Sequence, residues 1–207
     1  MAGYIGNFPT PVPLTSADLA DSIITSAKIA DGTIVNADIN ASADIAGTKL
    51  SGVGISEYDV WRLTSTLTSA STFITSNLAR VSNSTFEKIG TGMSESSGVF
   101  TFPSTGYWLI KYNALVYNNG QRYVITNSIN TTSDNSTYSE ASAGLTNITD
   151  SGADFYTSTQ CEFLFKVSDV SNYKCKFYFA SASGTAILDT YGSLNRTYMS
   201  FVKIGDI

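Results

Sequence analysis

The sequence predicts an all-β protein: an antiparallel β-sandwich head over residues 56–207, preceded by a repeat segment over 15–55 and an extended arm over 1–14. Three observations lead there. Beyond residue 56, short runs rich in Val, Ile, Tyr and Phe alternate with Gly-, Ser- and Asn-containing turns, and no long stretch has helical periodicity. Of the 12 Tyr and 11 Phe, none lies between Phe8 and Tyr58, so the apolar material for a core is confined to about 150 residues, a normal size for one domain. Residues 19–39 place a large aliphatic at every fifth position, a spacing that neither a helix stripe nor an alternating strand can hold against one core. Regularly spaced short strands indicate a sandwich, of which the jelly roll is a common form.

The arm, MAGYIGNFPTPVPL, alternates Pro9, Pro11 and Pro13, which remove backbone donors and favour extended or polyproline conformations. Tyr4, Ile5 and Phe8 add apolar contacts. Such a peptide cannot build a core, but it can fit a groove on a larger partner with little loss of entropy. The same stretch has neither the basic start nor the continuous apolar run of a signal peptide.

In the repeat, Leu19, Ile24, Ile29, Ile34 and Ile39 are followed by Ile45 and Leu50. The decamers TSADLADSII (15–24) and TSAKIADGTI (25–34) share six of ten positions, and a looser copy follows. Between the aliphatics stand Ala, Ser, Thr, Asp and Gly, which supply turns and capping oxygens but little apolar area. One buried aliphatic yields roughly 1.5–3 kcal/mol, against about 1–2 kcal/mol of backbone ordering for each of five residues, so one copy cannot fold alone. Fixed-period repeats of this kind bury their apolar side against other units. Three chains wound about one axis would bring their aliphatics together as a ladder, and the segment is expected to be a homotrimeric stalk.

Charge is sparse, 14%, with a net value of −5. An acidic chain with no Lys/Arg cluster is a poor ligand for phosphate, so no nucleic-acid partner is expected. No run reaches the roughly 18–20 apolar residues of a membrane span, so no membrane insertion is expected. Six Asn-x-Ser/Thr triplets, at Asn40, Asn83, Asn130, Asn135, Asn147 and Asn195, arise by chance in so Ser/Thr-rich a chain.

Within the head, strands are predicted around 60–67, 77–81, 85–89, 98–102, 107–117, 122–129, 161–167, 173–180 and 198–204. Asn119-Gly120 is the strongest hairpin signal, because it readily supplies the positive φ angles of a type I′ turn between 107–117 and 122–129. A second hairpin is expected at the turn 169–172. Pairing Val167 with Tyr173 there would set Cys161 opposite Phe179 and Cys175 opposite Phe165, too far apart for a disulfide. Both thiols are expected free and buried among Phe163, Phe165, Val167, Phe177 and Phe179.

The run GVFTFPSTGYWLIKYNALV (98–116) resembles the central pattern of complement-type globular heads and tumour-necrosis-factor-like jelly rolls: a strand closing in Phe-x-x-Pro, a Gly turn, then an aromatic pair opening the next strand. TYMSFVKIGDI (197–207) is similar to the last central strand of that fold. The resemblance spans residues 58–207, with residues 131–159 a longer polar insertion. It implies a trimeric TNF-like jelly roll, a self-association that would fit the stalk. Arm, Ile-repeat shaft and β head together resemble bacteriophage fibre or spike proteins, and MAGYIGNFPTP looks like the virion-attaching start of structural proteins from marine and cyanobacterial phages. What this resemblance implies is a non-enzymatic tail fibre or capsid-attached head fibre on the virion exterior. Tyr4, Ile5, Phe8, Pro9 and Pro11 would anchor it to a capsid or tail protein. A candidate host-binding loop at Asn118, Asn119, Gln121, Tyr138 and Tyr156 would meet a host-surface glycan or protein.

The chain contains no His, which excludes Ser-His-Asp and Cys-His nucleophilic machinery and His-based metal sites. Asp150 and Asp154 are the nearest sequence-local carboxylate candidates for a glycan-cleaving fibre, and as loop residues they read first as turn formers. Asp18, Asp21, Asp31, Asp38 and Asp44 lack the spacing of a calcium loop. No catalytic residue, metal or cofactor is expected. The alternatives are a glycan-cleaving fibre and a cellular complement-head-like binding module.

Overall fold

The structure, a computed structural model, describes residues 15, 22–40, 42, 43, 45, 54–118, 123–148, 155–182, 185–192 and 194–207. The chain divides into two compact units, Met1–Ser51 and Gly52–Ile207.

In the first unit the sequence repeat is also a backbone repeat. Short 3-10 turns at Ser26–Lys28 and Asn36–Asp38 lie ten residues apart. The bonds Lys28 N–H to Thr25 O and Asp38 N–H to Val35 O, both 2.9 Å, are equivalent across the repeat, as are Thr33 N–H to Ala30 O and Ala43 N–H to Asn40 O. Ser22 (φ 65°) and Gly32 (φ 78°) take up the left-handed conformation at matching positions. Gly adopts it without a Cβ penalty, whereas Ser22 does so at some cost. Every bond described here is local, so the turns set the period but bury nothing.

The second unit is a sandwich of two antiparallel sheets. Its strands are β1 Tyr58–Leu63, β2 Leu67–Ser69, β3 Ser71–Phe73, β4 Leu78–Arg80, β5 Ser94–Ser96, β6 Val99–Thr101 and β7 Gly106–Asn118. They continue with β8 Tyr123–Thr132, β9 Ser139–Ile148, β10 Phe155–Val167, β11 Lys174–Ser181, β12 Ala186–Leu188 and β13 Tyr198–Gly205. The larger sheet runs β2-β12-β7-β13-β1-β4, with β10 paired along the free side of β7; the smaller runs β5-β6-β11-β8-β9, with β3 also on β11. Alternation sends Trp108, Ile110 and Tyr112 of β7 and Met199 and Phe201 of β13 inward to meet Phe177 and Phe179 of β11, all fully buried. Phe177 is the hub, with ring centroids 5.3 Å from Phe100, 5.2 Å from Tyr112 and 5.9 Å from Phe201, all edge-on, the arrangement ring quadrupoles favour.

Two polar clips lock the core. Asp59, buried on β1, accepts from Trp61 Nε1 (2.9 Å), Arg80 Nε (3.0 Å) and Met93 N–H (2.8 Å), so its charge is both paired and hydrogen-bonded. Asn127 of β8 donates across the sandwich to the carbonyls of Tyr112 (3.1 Å) and Thr159 (3.3 Å), while Thr159 Oγ1 donates back to Asn127 Oδ1 (3.0 Å). Gly144 of β9 admits this clip: a Cβ there would sit 2.3 Å from Gln160 O and 2.7 Å from Asn127 Oδ1.

Several expectations are corrected. Neither predicted hairpin forms. Residues 107–117 and 123–129 lie in opposite sheets, β7 pairing with β10, β13 and β12, and β8 with β9 and β11. Asn119-Gly120 is outside the described residues. Likewise β10 pairs with β7 and β11 with β8, so Cys161 stands opposite Tyr112 and Cys175 opposite Thr131, not opposite Phe179 and Phe165. The alternation of both segments was read correctly, but two strands that bury one face each can satisfy it from facing sheets as well as from one. Both cysteines are free and buried. Residues 85–89 form no strand: Asn83 Oδ1 accepts from Thr85 N–H and Phe86 N–H, closing a side-chain turn instead. The polar insertion at 131–159 holds all of β9 and the start of β10.

Candidate binding surfaces

On the outer face of the larger sheet, residues from four strands align in rows. Leu164, Leu109, Val202 and Tyr58 form the first; Glu162, Lys111, Ser200 and Val60 the second; Gln160, Asn113, Tyr198 and Arg62 the third. The first row is apolar, with Leu164 49% exposed, and Tyr107 extends it. A depression of about 410 Å³ runs along it between Ile55, Leu109 and Val202. A second, about 320 Å³, opens between Lys111, Asn113, Gln160 and Glu162. Lys111 and Glu162 pair at 3.3 Å, and Gln160 Nε2 donates to Asn113 Oδ1 at 2.8 Å. Cys161 lines the second depression, where burial pushes its thiol up to about 11, which favours the protonated form at neutral pH.

At the other end of the same face stands an aromatic cluster. Tyr156 of β10 is in register with Tyr117 of β7, their rings 5.1 Å apart. The Arg196 guanidinium lies 5.9 Å from the Tyr156 ring and 4.8 Å from that of Tyr191. Asp189 holds Arg196 in place at 2.6 Å, and the Arg196 carbonyl accepts from Asn113 Nδ2. Tyr191 is 64% and Tyr156 56% exposed. The chain enters the head at Tyr58, beside Val202 in the first row, so Tyr117 lies about 26 Å farther along β7 than Leu109 at ~3.3 Å per residue. The cluster therefore marks the end distal to the chain's entry.

Of the candidate host-binding residues, Tyr156 belongs to this cluster and Asn118 ends β7 beside it. Tyr138 does not join them. It precedes β9, whose Ser139 pairs with Thr131 and whose Ile148 pairs with Tyr123, which puts it at the opposite end of the sandwich. There its ring covers Lys176 Nζ at 4.1 Å. Asn119 and Gln121 lie outside the described residues, as do the arm residues Tyr4, Ile5, Phe8, Pro9 and Pro11, the stalk residues Leu19 and Leu50, and Asp150 and Asp154. Tyr191 and Arg196 are functional candidates that sequence reasoning missed; they sit in an irregular segment, and only the tertiary fold brings them to Tyr156. Ile24, Ile29, Ile34, Ile39 and Ile45 are all exposed in the single chain, by 39–54%. Among the described residues no group of three or more His, Cys, Asp or Glu could hold a metal.

No protein-family model matches the sequence, and no curated protein matches it in sequence. Solved structures do match the fold. Murine APRIL at pH 5.0 is 13% identical with a TM-score of 0.51, the match covering 72% of this chain and 98% of that one. Eiger TNF from S. frugiperda is 8% identical with a TM-score of 0.56, covering 72% and 93%. The head is thus a TNF-like jelly roll.

Proposed function

We propose that the chain is the subunit of a non-enzymatic homotrimeric virion fibre, on a tail or a capsid, with residues 1–14 docked on the particle and the head displayed outward for attachment to a host surface. The observation that carries this reading is the repeat. Ile24, Ile29, Ile34, Ile39 and Ile45 stand on a backbone whose short turns repeat every ten residues, yet all are exposed in the single chain. Two further copies wound about a common axis would cover them. The apolar row Leu164, Leu109, Val202 and Tyr58, in which Leu164 is exposed and the others half-buried, supports self-association at the head as well, since apolar surface left open to water suits a protein contact. The arm's partner is a capsid or tail protein, and the virion exterior is its proposed location.

Light scattering on the full-length protein should give about three times the 22.1 kDa chain mass; a monodisperse monomer overturns the fibre. Deleting residues 1–14 should leave a folded trimer that no longer incorporates into particles, and normal incorporation would place attachment elsewhere. A second reading, a binding module acting outside any particle, is favoured by the fold alone, and imaging the protein on an intact particle separates the two.

A further inference from the structure

We propose that the distal cluster of Tyr117, Tyr156, Arg196 and Tyr191 is a binding surface for a neutral oligosaccharide. This rests on the fibre reading only in taking the distal end as the outward one. The four flat groups succeed one another at 5.1, 5.9 and 4.8 Å, forming a contiguous strip of aromatic and guanidinium groups at the end of the sheet. More than half of Tyr156 and of Tyr191 faces solvent, whereas no other described ring of the head is more than 38% exposed. Rings of this kind receive the C–H face of a pyranose, while phenol hydroxyls and the guanidinium N–H groups not turned to Asp189 supply polar contacts at the rim.

Charge decides among the ligands that stack. Nucleobases stack on Tyr and Arg too, but binding them requires cations to neutralise phosphate. Here Arg196 is paired with Asp189 at 2.6 Å, the other nearby cation, Arg62, turns its Nη1 to the Gly192 carbonyl at 2.8 Å, and the whole chain carries −5. Sialylated or uronate-bearing sugars would find Arg62 alone to meet their charge, whereas a neutral hexose or N-acetylhexosamine chain needs no cation. The strip is also precise: the Arg196 carbonyl is tied to Asn113, Asn113 to Gln160, and the Tyr191–Leu194 bridge closes the turn, so the rings are positioned before any ligand arrives.

The test applies the full-length protein to an array of neutral hexose and N-acetylhexosamine oligosaccharides printed beside sialylated and uronate-bearing ones. Binding to neutral members is expected, with at least a tenfold loss in Tyr156→Ala/Tyr191→Ala and retention in Tyr156→Phe/Tyr191→Phe, which keeps the rings. Failure to bind any neutral oligosaccharide, preference for acidic ones, or undiminished binding by the double-alanine variant overturns the proposal. Light scattering on the same sample keeps the two readings apart. A trimer that binds no sugar sinks this inference alone, whereas a monomer sinks the fibre and leaves the sugar result to stand by itself.

Discussion

Between residues 22 and 45 the described hydrogen bonds close within three positions, whereas the head ties Arg62 to Gly192 and Thr190 to Leu63 across more than a hundred. The same contrast holds for apolar groups: the repeat leaves its isoleucines exposed, while the head buries Trp108, Phe177 and Phe201 completely. Long-range closure is what gives a chain a core of its own, and local turns cannot provide it. The head is therefore built to fold as one chain. The repeat sets a period and leaves its isoleucines exposed in the single chain.

Substitutions should separate the two regimes, judged by their effect on the head. Phe177→Ala, at the hub of three ring contacts, is expected to cost about 3–5 kcal/mol by chemical denaturation of the full chain, because the cavity it leaves is walled by rigid rings. A loss below about 1 kcal/mol would mean the aromatic core is not the source of head stability. Gly144→Ala forces a methyl against Gln160 O and the Asn127 clip and should cost about 1–3 kcal/mol. Unchanged stability there would show that β9 can move away from β10 freely.

Raising the pH should act more gently. Burial lifts the Cys161 thiol from 9.0 to about 11, so the native state favours the protonated form. Its contribution is complete below about pH 9, where both states hold the proton. It declines as pH rises towards 11, because the unfolded chain releases its proton first. The loss by pH 11, about 2 kcal/mol for that rise, should be absent in Cys161→Ala, and an identical pH profile in that variant would assign the decline to other groups.

The smallest effect on the head is expected from Ile29→Asp combined with Ile34→Asp. In the proposed trimer each places three charges in a dry axis and should disorder the stalk. The head's melting should stay within about 0.5 kcal/mol of the parent, as for surface changes that touch no core. Loss of β-structure by circular dichroism would show that the two units are not modular.

How much could be read from the chain itself varied by element. Strands that alternate large apolar with polar residues, such as 107–117 and 198–204, were legible because period two survives in a one-dimensional pattern. β9 was not: in SEASAGLTNI the inward positions are small or polar, since Gly144 and its neighbours must let β10 approach, and no apolar alternation announces it. Of the tip cluster, only Tyr156 stood out in the sequence.

Residue order alone therefore determined the class of the head, the ten-residue period of the repeat and the inward faces of β10 and β11, all of which depend on spacings within a few residues. Tertiary structure decided which sheet each strand joined, sending β7 and β8, and β10 and β11, to opposite layers despite their inviting turns. It also drew Tyr191 and Arg196 to Tyr156. Pairing partners and surface clusters arise from contacts between residues far apart in the chain, and a local pattern that buries one face of a strand is satisfied equally by a neighbour in its own sheet or in the facing one.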